Sequence, residues 1–131
     1  MRMSNTTDWQ TLEHFTFGDS PAMADELLEL VLQGVKTATC SSAAENEIRY
    51  VGLLTVACDG RGRARAVIET TELRFVPFDG VEADFAAAEG EGDRTLAWWR
   101  QAHQSFFERN GGFTPTMLLR CERFRVVQVI E

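Results

Sequence analysis

Lysine is nearly missing from this chain. Of its 13 basic residues only Lys36 is a lysine, and every other one is arginine. Cysteine is scarce too: Cys40, Cys58 and Cys121 are odd in number, widely spaced and without a C-x-x-C pair. That pattern supports neither a disulfide framework nor a zinc site. Each cysteine stands among apolar neighbours and reads as a small buried filler. A catalytic thiol at Cys40 is disfavoured, because neither His14 nor His103 stands near it in sequence. No apolar run approaches the roughly 18 residues of a membrane span. The polar start, Met1 to Gln10, lacks the hydrophobic core of an export signal, so the expected location is cytoplasmic. A basic surplus is also absent, since the formal net charge is -7. Tight generic nucleic-acid binding through phosphates is therefore not expected, whereas a small nucleoside-like ligand remains compatible.

The length suits one domain, 1–131, with residues 1–8 expected to be frayed. Ser20 as N-cap and Pro21 at the first position open a helix. Ala24, Leu27, Leu28, Val31 and Leu32 give it an apolar face, and Gly34 ends it. The β-prone stretch Thr37-Ala38-Thr39-Cys40 follows. A strand at 52–58 and its hairpin partner at 63–73 flank the turn Asp59-Gly60-Arg61-Gly62, and residues 75–78 end that ladder. A short helix is expected at 81–88. A second, at 94–108, is capped by Asp93 and carries Trp98, Trp99, Ala102, Phe106 and Phe107 on one face. Two final strands, 117–121 and 124–130, end the chain. Without a regular βαβ rhythm, the pattern predicts an α+β, barrel-like domain.

The sole lysine invites a chemical reading. Arginine does not practically lose its proton, but a desolvated lysine can become a neutral base. The plain alternative is a solvated cation after a helix C-terminus. Thr37 and Thr39 alternate along a strand, with Ser41 continuing their face. A hydroxyl beside a neutral lysine can act as a nucleophile, although threonine also simply favours strands. Glu89-Gly90-Glu91-Gly92-Asp93 is the second candidate. It lies in a stretch without Lys or Arg, where clustered carboxylates can prepare a general acid or base. Its glycines would let the backbone approach a ligand, unless the run is a solvated acidic turn. Glu69, inside an apolar strand, points outward or into a polar cavity. Trp99 and His103 sit one helical turn apart, and aromatic faces can stack nucleobases. At least one of Trp98 and Trp99 is expected in the core.

Several stretches together resemble the ASCH family from about Phe17 to the C-terminus. They are Phe17-Gly18-Asp19, Ala24 to Leu28 running on to Gly34-Val35-Lys36-Thr37-Ala38-Thr39, and Val67 to Glu72. Ala88 to Leu96, Trp99 with His103 and Phe106-Phe107, and Cys121 to Val127 complete the set. The resemblance implies a PUA-like mixed β-barrel with flanking helices and a cleft that binds RNA or a nucleotide. A related branch hydrolyses N4-acetylcytidine without metal or cofactor, and its lysine, threonine and glutamate fall on Lys36, Thr39 and Glu91. The function implied is an amidohydrolase acting on a modified nucleoside. The alternative is an RNA-binding module or ribonuclease acting on short RNA. Substrate contacts are expected from Thr37, Ser41, Glu69, Glu89, Trp99 and His103. Two departures stand out: Cys40-Ser41-Ser42 replaces bulkier and charged residues, and Gly52-Leu53 replaces a Gly-Asp pair. On a straight strand Lys36 and Thr39 face opposite ways, so their convergence requires a bend near Lys36.

Overall fold

The computed structural model of the chain describes residues 8–45 and 47–131, so residues 1–7 of the expected frayed start lie outside it. The elements run β1 (Glu13–Thr16), α1 (Pro21–Leu32), β2 (Ala38–Ser42), β3 (Leu54–Cys58), β4 (Ala64–Pro77), α2 (Ala83–Glu89), α3 (Leu96–Arg109) and β5 (Leu118–Val129). The strands form one curled sheet in the order β1-β3-β4-β5-β2. All neighbours pair antiparallel except β1 with β3. With its three helices this is the α+β half-barrel of the PUA-like type. Bulges between Val67 and Ile68, and between Thr70 and Glu72, interrupt the long β4–β5 ladder. Such extra residues bend a strand and increase its twist, which lets the sheet curl.

Helix α1 forms as its caps predict. Ser20 Oγ accepts from Met23 N at 3.1 Å and Pro21 is the first helical residue. Ala24, Leu27, Leu28 and Val31 are its buried residues. Leu27, Leu28 and Val31 meet Phe17, Ala57, Ile68 and Phe124 in one apolar cluster. A second cluster gathers Phe78, Phe85, Trp99, Phe107, Leu119 and Cys121 around α2 and α3. The candidate site lies at the seam between the two.

Three local expectations change. The chain from Leu118 to Val129 is one strand rather than two. Its polar pair does not break it, because Glu122 accepts a hydrogen bond from Thr70 Oγ1 and Arg123 pairs with Glu72 and Asp84. Thr95, not Asp93, caps α3 by accepting from Trp98 N, while Asp93 accepts from the Thr95 amide and hydroxyl. Strand β1 had no signal in the sequence. It is four residues long with alternating exposure too weak to read, and its parallel pairing to β3 is a tertiary contact.

Candidate functional site

Lys36 belongs to the exit of α1 rather than to β2. Gly34 adopts φ +78°, which turns the chain out of the helix. Val35 N and Lys36 N then both donate to the Leu30 carbonyl, at 2.9 and 3.1 Å. Strand alternation starts only at Ala38, so it does not oppose Lys36 to Thr39. This is the bend that their convergence requires. The Lys36 side chain runs inward and its Nζ donates to the Ala38 carbonyl at 2.9 Å, Glu89 Oε1 at 3.1 Å and Glu91 Oε2 at 2.7 Å. Lys36 and Glu89 are each 1% exposed and Glu91 is 9% exposed.

Two glycines set these carboxylates in place. Gly90 ends α2 at φ +74°, and a Cβ there would stand 2.5 Å from the Val35 carbonyl oxygen. The turn after α2 therefore lies directly on the backbone that presents Lys36. A Cβ on Gly92 would stand 2.1 Å from the Trp98 indole. The close approach that these glycines allow is to the protein's own carbonyl and indole, not to a ligand as the sequence suggested.

Behind Lys36, Glu89 is held from α3. Trp99 Nε1 donates to Glu89 Oε2 at 2.9 Å, and His103 Nε2 lies 3.5 Å from the same oxygen. His103 Nδ1 bonds the Trp99 carbonyl at 2.9 Å and its ring stacks on that indole at 4.3 Å. With one ring N–H on the carbonyl and the other toward the carboxylate, the geometry suits an imidazolium.

Burial alone would push the Lys36 ammonium down, but Glu89 and then Glu91 outweigh it, and its pKa is raised. The expectation of a neutral lysine is thereby corrected. Two anions within hydrogen-bond reach stabilise the charge more than burial penalises it. Burial likewise works against the Glu89 anion, yet Lys36 and His103 hold its pKa well below the carboxylate range. For His103, burial is again outweighed by Glu89, so its pKa is raised. Burial and the nearby Glu89 push the Cys40 thiol well above its usual value, so it is no ready nucleophile. Cys40, Glu89 and His103 place ligand-type atoms within 4.8 Å of one another. The Lys36 ammonium already occupies the electrostatic place a cation would take there, and the Glu89 oxygens are engaged.

A cavity of about 310 Å³ opens over this cluster, lined among others by Lys36, Thr39, Glu91, Trp98 and His103. A wider cleft of about 880 Å³ adjoins it along Phe17, Gly18, Thr39, Cys40 and Phe106. The candidate residues divide accordingly. Lys36, Thr39, Glu89, Glu91 and His103 come together at the cavity. Ser41 lines the wider cleft and accepts from Arg120 at 3.2 Å. Three candidates are not where the sequence reading put them. Thr37 is exposed and bonds the Ala88 carbonyl, because it precedes β2 on the side opposite its neighbour Lys36. Glu69 lines neither space; it points outward and bonds Arg125 on the neighbouring strand. Trp99 is a core residue, 1% exposed. The tryptophan on the cavity is Trp98, which the sequence reading missed. Adjacent helical residues differ by a third of a turn, and spacing alone does not say which faces the core.

The curled sheet, the helices and this lysine–carboxylate centre define a PUA-like domain. The ASCH domain family model matches residues 13–128, and the chain belongs to that family. It is similar to the crystal structure of an ASCH domain from Lactobacillus crispatus, with 36% identity, a TM-score of 0.83, and coverage of 88% of this chain and 79% of that one. A protein of Enterococcus faecalis is also 36% identical, with a TM-score of 0.82, covering 89% and 77% of the two chains. An ASCH protein from Zymomonas mobilis shares the fold alone, at 11% identity and a TM-score of 0.61, over 91% of this chain and 71% of that one. Among curated proteins none matches the chain. Among the described residues no helix is long and apolar enough to cross a membrane.

Proposed function

We propose that the cavity binds a small acylated nucleoside, such as N4-acetylcytidine, and hydrolyses its amide. The observation that carries this reading is the Lys36–Glu91 pair at 2.7 Å on the wall of a cavity that Thr39 also lines. In this reading the Thr39 hydroxyl attacks the acyl carbonyl and Glu91 takes its proton. Lys36 holds Glu91 in place as its cation and offers positive charge to the oxygen that becomes anionic. Glu91 then returns the proton to the departing amine, and water releases the acid from Thr39. Glu89 and His103 act on Lys36 from behind, as positioning residues. No step calls for a metal or an organic cofactor.

The cavity is at the low end of the roughly 300–1,000 Å³ of small-ligand sites, which suits a nucleoside better than a polymer. The alternative of an RNA-binding module or ribonuclease is less well supported by charge. The wider cleft is lined by Glu13, Asp19, Glu45, Glu47 and Glu122, and its arginine, Arg49, is bonded to Glu47 and Glu13. A carboxylate-rich surface repels phosphates. Mass spectrometry of the purified protein incubated with N4-acetylcytidine and with short RNAs tests the choice. Released cytidine and acetate are expected from wild type and not from Glu91→Gln or Thr39→Ala. No release, together with submicromolar RNA binding that weakens steeply with salt, would move the assignment to the RNA-binding reading.

A further inference from the structure

The cavity has an aromatic side that the hydrolytic reading leaves without a role. Trp98 sits one turn into α3, where Thr95 Oγ1 accepts from its amide at 3.2 Å and Asp93 Oδ1 in turn holds the Thr95 hydroxyl at 2.6 Å. Its indole packs onto Gly92, so closely that a Cβ there would lie 2.1 and 2.3 Å from two ring carbons. The ring is thereby held beside Glu91, the residue preceding Gly92, and it lines the same cavity. Trp98 and the neighbouring Trp99 differ in how their polar ends are used. The Trp99 N–H is spent on Glu89, whereas among the described residues the Trp98 indole N–H meets no acceptor. A half-buried indole on a cavity wall, braced by backbone and with a free donor, is a surface built for a flat partner. Phe17 and Phe106 also line the space.

We propose that Trp98 is the platform on which a planar, uncharged heteroaromatic ring of the ligand stacks, with Glu91 and Lys36 at the ring's edge. The choice of an amide-bearing ring rests on the hydrolytic reading; the stacking itself does not. Charge limits the ligand further. Glu26 and Glu91 are on the cavity wall, while Arg109 there is already bonded to Asp19 at 3.0 Å. With Lys36 committed to Glu89 and Glu91, and the His103 imidazolium to Glu89, no cation lining the cavity among the described residues is left over to receive a phosphate, so the nucleoside binds in preference to its 5′-monophosphate.

Calorimetric titration with cytidine, cytidine 5′-monophosphate and the non-aromatic acetamide N-acetylglucosamine tests this without requiring turnover. Stacking on one aromatic side chain makes a difference of about tenfold or more in affinity. Cytidine is expected to bind wild type and Trp98→Phe similarly, and to lose about tenfold or more in Trp98→Leu, which keeps apolar bulk but no ring. Gly92→Ala, which drives the indole from its seat, should show the same loss. N-acetylglucosamine should not distinguish Trp98→Phe from Trp98→Leu. Equal cytidine affinity in the Phe and Leu variants, or no cytidine binding by wild type, overturns the platform. Tighter binding of the monophosphate than of cytidine overturns the charge preference. Wild type that binds cytidine but releases nothing from N4-acetylcytidine leaves the platform standing and removes only the hydrolytic reading.

Discussion

Lys36 stands 2.7 Å from Glu91, and Arg125 stands 2.7 Å from Glu69. The distances are equal but the environments are not: the Lys36 side chain is 1% exposed and that of Arg125 is 67% exposed. Around Arg125, water screens the charges and would replace either partner if it were lost. Around Lys36 there is little water to do so. The ammonium sits among two carboxylates and the main-chain carbonyls of Ala38 and Glu89, with the Phe17 ring 5.5 Å away. The buried cluster is therefore one unit centred on Lys36, whose removal takes from both carboxylates the cation they share. The exposed β4–β5 pairs are decoration on a ladder that backbone hydrogen bonds already hold.

The comparison is broken most directly by removing each cation. Lys36→Met is expected to cost about 3–5 kcal/mol, because two buried carboxylates lose their partner. Arg125→Met is expected to cost less than about 1 kcal/mol. Urea unfolding of both variants checks this, and similar midpoints for the two would refute the distinction between the regions.

Next in size is the glycine that presses the carboxylate turn against the lysine. Gly90→Ala meets the Val35 carbonyl and must also hold φ +74°, so a loss of about 2 kcal/mol or more is expected. Gly62 has a similar φ of +79° but open space around its Cα. Gly62→Ala should therefore lose only the conformational part, about 1 kcal/mol. Thermal unfolding of the pair separates close approach from backbone strain.

The smallest effect is the sharpest in sign. The pKa of Glu89 is lowered from 4.5, so its contribution is present above that value and lost as the pH falls toward its folded pKa. His103 is raised from 6.5, so its contribution is complete below that value and lost as the pH rises through its folded pKa. Stability should thus peak between about pH 4.5 and 6.5 and decline toward alkaline pH, by about 1.4 kcal/mol for each unit by which His103 is raised. His103→Gln should remove that decline, whereas Glu69→Gln should leave it unchanged. Melting temperatures measured from pH 5 to 9 decide; a decline that persists in His103→Gln would mean that His103 is not held as a cation.

Much of this site was legible in the residues. A lone lysine among arginines singles out a position with a job that arginine cannot do. Glu91 between two glycines points to a turn whose backbone is closely approached, although not to what approaches it. What misled the reading was local reasoning applied where tertiary contacts rule. As the sole lysine, Lys36 suggested a base kept neutral by desolvation, but its partners lie 53 and 55 residues away. Glu69 looked suspicious inside a strand, yet its register beside Arg125 resolves it at the surface. Trp98 and Trp99 are equivalent in composition, and only the packing of α3 assigns one to the core and the other to the cavity.

By itself the sequence determined the start of α1, the turn chemistry and the family, because caps, glycines and motif spacing act over a few residues. Tertiary structure alone decided that Lys36 is charged, that Glu89 is its buried counter-ion and that the glycines serve close packing. Charge state in a protein interior depends on which groups meet there, and these meet only when the turn after α2 closes over the exit of α1.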